Sequence, residues 1–160
     1  MKSPRHSLTC TGSAWLFGWV TAVFLPGAIM AVLTAAETGF DFRQCLRQTW
    51  EIADNVGPFA KLMMGGLLGL GFFVSGRFKL PILIDATLNI ATGVAAVCLT
   101  LAFLPQAWSR GFGIGLTGLR FDPSVWPIYL VSAAAAGVVF TLSFRMCSAR
   151  SKGKQNVFSY

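Results

Sequence analysis

The sequence has little charge and few of the side chains that carry out chemistry in enzymes. Charged residues make up 12% of the 160 residues, and Asp and Glu together number six. A soluble domain of this length needs more charge than that to cover its surface. The single histidine, His6, excludes a bis-histidine haem and an H-x-x-x-H metal pair. We therefore expect no catalytic residue, no metal ligand and no cofactor, and we expect that the protein is not an enzyme.

Cysteine is also sparse, and no two cysteines are close in sequence. Cys10, Cys45, Cys98 and Cys147 are widely separated, and no C-x-x-C pair occurs. Paired cysteines at short spacing are typical of metal sites and of the disulfide frameworks of small secreted domains. The spacing here predicts four unrelated thiols.

What the chain has in abundance is apolar sequence, which amounts to 54% of its residues. Each membrane-spanning helix needs about 20 predominantly apolar residues. Four stretches qualify, at about 13–35, 57–76, 80–104 and 127–146. They predict an all-α protein, a four-helix transmembrane bundle forming a single domain over residues 1–160. An alternative for the first stretch is a cleaved signal peptide, although its apolar region is longer than the 7 to 15 residues, roughly, of such signals.

The basic residues indicate an orientation in the membrane. Lys2, Arg5, Arg77, Lys79, Arg145, Arg150, Lys152 and Lys154 fall on one side, with no acid among them. The other side has five basic residues offset by five acids. Since basic loops stay in the cytoplasm, both termini and the tail 147–160 are predicted to be cytoplasmic, with the plasma (bacterial inner) membrane as the preferred location. The basic residues flank apolar runs and form no basic face, so we expect no binding to nucleic acid.

The first outer loop contains a further helical pattern in "FDFRQCLRQTWEIAD", residues 40–54. Apolar residues recur there at helical spacing, and charged residues occupy the remaining positions. The pattern predicts a short amphipathic helix lying on the outer membrane surface. Such a helix either caps the bundle or offers a docking surface for a partner.

Asp85 is the most unusual residue, because it lies inside the third apolar stretch. Asn89 and Thr92 follow it four and seven residues later, on the same face of a helix. A polar stripe in a membrane helix faces the bundle or a water-filled cavity, since lipid would leave it without hydrogen bonds. Two interpretations remain open. Asp85 binds a proton or cation in transport, or it forms a structural ion pair with Arg77 or Lys79.

Small residues indicate where helices pack closely. "GGLLGLG" places Gly65 and Gly69 four residues apart, and "AAAAG" gives the fourth span a second small-residue face. Either pattern suits contacts within one chain or between chains. "GFGIGLTG", residues 111–118, contains a literal G-x-G-x-x-G, but it lacks the strand and helix that a dinucleotide site requires.

These observations leave two main hypotheses about function. The first is a non-catalytic accessory, structural or protective subunit that contacts other membrane proteins or itself within the lipid bilayer. The alternative is a small ion or solute carrier or channel that uses Asp85, Asn89 and Thr92. A membrane aspartyl protease is disfavoured because Asp85 has no second intramembrane acid.

Overall fold

Five helices make up the parts of the chain that the structure describes. The computed structural model describes residues 4–78, 80–103 and 126–157, and no strand occurs in these ranges. The helices are α1 (Pro4–Thr38), α2 (Phe42–Asn55), α3 (Pro58–Ser75), α4 (Ile82–Phe103) and α5 (Trp126–Val157). Residues 104–125 lie outside the described ranges, and with them the glycine-rich stretch 111–118.

Four of the helices are long and apolar enough to cross a membrane, as the sequence predicted. Their apolar segments are Leu8–Glu37, Pro58–Ser75, Ile82–Thr100 and Trp126–Arg150. The helical boundaries differ from the predicted ones at the two ends of the chain. Helix α1 begins nine residues earlier than expected, and α5 continues through much of the predicted tail to Val157. Apolar patterning reports where a helix meets a nonpolar environment, so it does not detect helical turns that extend beyond it.

The four long helices form a ring in which each packs mainly against two of the others. Helix α1 packs against α3 and α5, and α4 packs against the same two helices. The centre is filled by stacked aromatic rings, with the centroids of Phe72 and Phe140 separated by 4.1 Å. Phe72, Phe140 and Leu68 are almost completely buried. This core joins α3 to α5 across the bundle.

Helix α2 is a separate element between α1 and α3, and both of its connections are tight turns. Gly39 and Gly57 have φ values of 102° and 69°, which favour glycine because other residues rarely adopt them. Asp41 caps the start of α2 by accepting a hydrogen bond from the Arg43 backbone N–H at 3.0 Å. Pro58 then occupies the first turn of α3, where its missing N–H costs nothing.

The amphipathic pattern correctly predicted α2 as a helix, and the structure shows that this helix packs against α1. The Cys45 thiol lies 3.9 Å from the Ala31 carbonyl oxygen, and Thr49 lies against Gly27. As residue numbers rise along α2, they fall along α1, so the two helices pack antiparallel and lengthwise. The predicted apolar face is therefore divided. Cys45 and Ala53 are buried, whereas three large apolar residues of α2 are exposed: Phe42, Leu46 and Trp50.

The prediction of four unrelated thiols is wrong for two of the cysteines. Cys10 and Cys147 form a disulfide, and their Cα atoms are 5.6 Å apart. Because α1 and α5 are antiparallel, the first turns of α1 meet the last turns of α5, which the separation of 137 residues concealed. Cys45 and Cys98 are free, the first buried and the second exposed. Pairing depends on distance in space, so sequence spacing was a poor guide here.

Candidate functional site

An ion pair links α4 to α5 near the end of the bundle that contains the Cys10–Cys147 disulfide. Arg145 donates to Asp85 Oδ2 from Nε at 3.3 Å and from Nη2 at 3.1 Å. The same Nη2 donates to the Leu80 carbonyl oxygen at 3.2 Å, just before α4 begins. The side chain of Asp85 is 12% exposed and that of Arg145 is 37% exposed. The carboxylate is therefore sheltered, whereas the guanidinium reaches the surface of the bundle.

Asn89 extends the ion pair into a polar network that includes α3. Its Nδ2 donates to Asp85 Oδ1 at 3.2 Å and to Thr141 Oγ1 at 3.0 Å. Its Oδ1 accepts a hydrogen bond of 2.5 Å from the Ser75 hydroxyl. Thr141 in turn donates to the Gly137 carbonyl oxygen at 2.9 Å. Every polar atom of the Asn89 side chain is thus paired, as a buried amide requires.

Two glycines allow α4 and α5 to approach closely enough for this network. A Cβ atom at Gly137 would lie 2.5 Å from the carbonyl carbon of Asn89, and one at Gly93 would overlap the Ala133 carbonyl oxygen. Ala133 and Ala136 are completely buried, so the "AAAAG" segment packs inside the chain. Small residues of this kind let helix backbones meet in nonpolar surroundings.

Two of the three residues of the predicted polar stripe interact in the structure, and the third does not join them. Asp85 and Asn89 are hydrogen-bonded to each other, but Thr92 donates to the Leu88 carbonyl of its own helix at 2.9 Å. The methyl group of Thr92 faces Gly71 of α3. The expected ion-pair partners are also different. Arg77 lies over the Phe73 ring, Lys79 lies outside the described residues, and Arg145 pairs with Asp85.

Ser75, Thr141 and Arg145 were missed because they belong to other helices. Thr141 and Arg145 are four residues apart in α5, as Asp85 and Asn89 are in α4. Each of these apolar helices thus carries two polar residues one turn apart. That shared spacing could have indicated that the two helices face each other at these residues. The sequence alone placed Arg145 among the basic residues that determine orientation.

Gly65 and Gly69 contact indole rings of α1. A Cβ atom at Gly65 would lie 2.9 Å from Trp19 Nε1, and one at Gly69 would lie 3.1 Å from Trp15 Nε1. The two indoles are stacked, with centroids 5.6 Å apart. Trp15 donates to the Gly65 carbonyl and Trp19 to the Lys61 carbonyl, both at 2.9 Å. These glycines therefore make room for two indole rings of the same chain, so this small-residue pattern serves contacts within the chain.

The bundle also encloses a small cavity of about 20 Å³, lined mainly by apolar side chains. Tyr129 borders it, and its buried hydroxyl has no hydrogen-bond partner among the described residues. A cavity of this volume has room for about one water molecule. It is too small to bind an organic substrate.

Tyr129→Phe is expected to leave the free energy of unfolding unchanged or to raise it by up to about 1 kcal/mol, because it removes a buried hydroxyl that has no hydrogen-bond partner in the described ranges. The matched variant is Thr141→Val, which removes a hydroxyl that both accepts from Asn89 and donates to Gly137. That variant should lower the free energy by about 1 kcal/mol. Unfolding of both variants in the same detergent provides the comparison. A larger loss for Tyr129→Phe than for Thr141→Val would contradict the assignment.

Both oxygens of Asp85 already accept hydrogen bonds, Oδ1 from Asn89 and Oδ2 from Arg145. We call the network closed in this sense. Within the described residues no cluster of three potential metal ligands occurs. No protein-family model, curated protein or solved structure matches this chain. The described residues therefore belong to a helical protein whose four long apolar helices are suited to spanning a membrane.

Proposed function

We propose that this protein is a non-catalytic integral membrane protein that acts by contact with another membrane protein, as an accessory, structural or protective subunit. The observation that supports this most directly is the closed state of the Asp85 network. A carrier needs a polar group that is open to its substrate, and an enzyme needs a reactive group that is free to reach one. Asp85 instead joins α4 to α5, which is a structural role.

The exposed row on α2 is the contact surface that we assign to the partner. Phe42, Leu46 and Trp50 recur every four residues, and 64%, 56% and 66% of their respective surfaces are exposed. The opposite side of α2 is already occupied by α1. Arg47 and Glu51 directly follow Leu46 and Trp50, so they lie beside the row, and they form an exposed ion pair of 3.6 Å. An aromatic and aliphatic row with charged neighbours matches the composition of protein interfaces.

The first experiment is purification from native membranes in mild detergent, with mass spectrometry of the proteins that accompany the chain. We expect a stoichiometric membrane-protein partner, which is lost from the Leu46→Ala/Trp50→Ala variant. The matched control is Leu83→Ala, which removes an apolar side chain that is 78% exposed on α4. Recovery of the chain alone or as a homo-oligomer, or equal loss of the partner with the control, would contradict the proposal.

The alternative is a small carrier or channel in which Asp85 binds a proton or cation. The partial exposure of Arg145 favours it, because this side chain has room to move away and uncover the Asp85 carboxylate. Asp85→Asn distinguishes the two functions. A subunit should keep its partner, whereas a carrier should lose substrate-coupled flux in liposomes. Flux through the wild-type protein that Asp85→Asn abolishes would favour the carrier.

We also propose a plasma (bacterial inner) membrane location with both termini in the cytoplasm. The disulfide between Cys10 and Cys147 places the early part of α1 beside the later part of α5, and Arg77, Arg145 and Arg150 belong to that same end of the bundle. The positive-inside tendency then places this end in the cytoplasm. A reporter that folds in one compartment, fused after Tyr160, tests the orientation directly.

The orientation makes a separate prediction about the disulfide. Cytoplasmic thiols are kept reduced, so with cytoplasmic termini Cys10 and Cys147 should be a dithiol in growing cells and a disulfide after aerobic extraction. Rapid acid quenching followed by alkylation before and after reduction measures the two states. Cys45 and Cys98, which are free, provide the internal reference for complete alkylation. A pair that is already oxidised in intact cells would argue for termini on the oxidising side.

A further inference from the structure

An apolar groove opens between α1 and α3 at the end of the bundle that contains the Cys10–Cys147 disulfide. Its volume is about 360 Å³, and its lining is apolar except for Thr11: Leu8, Thr11, Gly12 and Trp15 of α1 and Gly69, Leu70 and Phe73 of α3. That volume falls in the range of small-molecule sites, roughly 300 to 1,000 Å³. The groove lies on the outer surface of the bundle, since Leu8 and Leu70 are 55% and 69% exposed.

The shape of the groove follows from two glycines and one fixed ring. A Cβ atom at Gly12 would meet nothing within 4 Å, so this residue leaves open space. Gly69 allows the Trp15 indole to lie flat against α3 and to form part of the groove wall. The hydrogen bond from Trp15 Nε1 to the Gly65 carbonyl oxygen holds the ring in this position. A preformed apolar slot of this kind suits a hydrocarbon chain.

A positive charge is fixed beside this slot. The Arg77 guanidinium lies 4.6 Å from the centroid of the Phe73 ring, and Phe73 lines the groove. Among the described acids, Asp85 is engaged by Arg145, and the others lie in the last turn of α1 (Glu37), at the cap of α2 (Asp41) or within α2. The mouth of the groove therefore carries a cation that is positioned by an aromatic ring and is not neutralised by those carboxylates.

We propose that the groove binds an anionic phospholipid, with one acyl chain along Trp15 and the phosphate at Arg77. Basic groups at the cytoplasmic ends of membrane helices attract acidic headgroups, so this assignment rests on the cytoplasmic orientation proposed above. The exposed edge formed by Leu8 and Leu70 opens toward the bilayer, so a lipid enters laterally. This site is independent of the α2 surface and of the polar network.

The test uses quenching of tryptophan fluorescence by brominated phospholipids. The full-length protein is reconstituted in phosphatidylcholine containing equal mole fractions of either brominated phosphatidylglycerol or brominated phosphatidylcholine. One basic contact predicts about a fivefold preference for the anionic lipid at the Trp15 groove. Arg77→Gln should remove the preference, and Gly12→Leu, which fills the slot, should reduce quenching by both lipids. Arg150→Gln is the matched control, because it removes an exposed arginine from α5 and lies outside the groove lining.

Each result supports or overturns the site. Loss of the preference in Arg77→Gln and its retention in Arg150→Gln would support it, provided that both variants elute as the wild type does. Equal loss in both variants would show attraction to the basic end as a whole and overturn the site. Equal quenching of the wild type by the two lipids would do the same. Leu70→Cys tests a competing occupant, because efficient cross-linking of two chains through this position in phosphatidylglycerol membranes would place a second copy in the groove.

Discussion

Arg145→Leu is expected to lower the free energy of unfolding by about 3 kcal/mol, which is one of the two largest losses that we predict. The variant leaves the Asp85 carboxylate with Asn89 as its remaining described partner and leaves the Leu80 carbonyl without its donor. Removing one member of a buried ion pair costs about 3 to 5 kcal/mol. We place this pair at the low end, because about a third of the Arg145 side chain is exposed and is screened there.

The complementary variant, Asp85→Leu, should cost less. Arg145 is long and partly exposed, so its guanidinium can extend to the membrane interface once the carboxylate is gone. The double variant Asp85→Leu/Arg145→Leu should recover most of the loss, since it removes both charges together. This ordering separates the penalty of an unpaired acid from the net contribution of the pair.

Thermal or denaturant unfolding of the four proteins in one detergent measures the ordering. Arg150→Leu is the control, because it removes an exposed arginine from the same helix and should cost under about 0.5 kcal/mol. If Arg145→Leu were no more destabilising than Arg150→Leu, the ion pair would contribute nothing and the closed network would lose its structural role. The proposed function would then lose its main support as well.

The sequence predicted the local part of this site and missed the part that depends on how the helices pack. Asp85 and Asn89 share a helix face, so their spacing was sufficient to group them. Arg145 lies 60 residues from Asp85 in the chain, and its role depends on α5 lying antiparallel to α4. Helical periodicity identifies faces, but it does not identify which faces meet.

Thr92 and the disulfide show two further ways in which sequence spacing differs from contact in space: Thr92 was grouped with residues that it does not contact, and the two cysteines were not grouped although they bond. Thr92 occupies the predicted face, yet its hydroxyl bonds within its own helix, as threonine readily does in apolar helices. Cys10 and Cys147 had no visible relation in sequence, and the antiparallel packing of α1 and α5 joined them. Helix α2 lies between these cases. Its amphipathic pattern located the helix, and its packing along α1 buried Cys45 and Ala53 but left the three larger apolar side chains of α2 exposed.

Gly137→Ala is the second substitution with a large expected effect, a net loss of about 2 kcal/mol. The added Cβ would overlap the Asn89 carbonyl oxygen and lie 2.6 Å from the Ile90 nitrogen, and these are backbone atoms that cannot rotate away. Helices α4 and α5 must therefore separate, which lengthens the hydrogen bond of 3.0 Å from Asn89 to Thr141. Overpacking of this kind costs about 1 to 3 kcal/mol. The better helix propensity of alanine offsets up to about 1 kcal/mol of it.

Gly66→Ala is the matched control for this variant, since a Cβ atom there would meet nothing within 4 Å. It makes the same chemical change in an apolar helix and should leave stability unchanged or slightly raised. Unfolding of both variants in one detergent gives the comparison, and equal stability would mean that α4 and α5 are not in close contact at Gly137. Combining Gly137→Ala with Arg145→Leu tests the link to the network. Because both changes weaken the same contacts between α4 and α5, their combined loss should be smaller than the sum of the two separate losses.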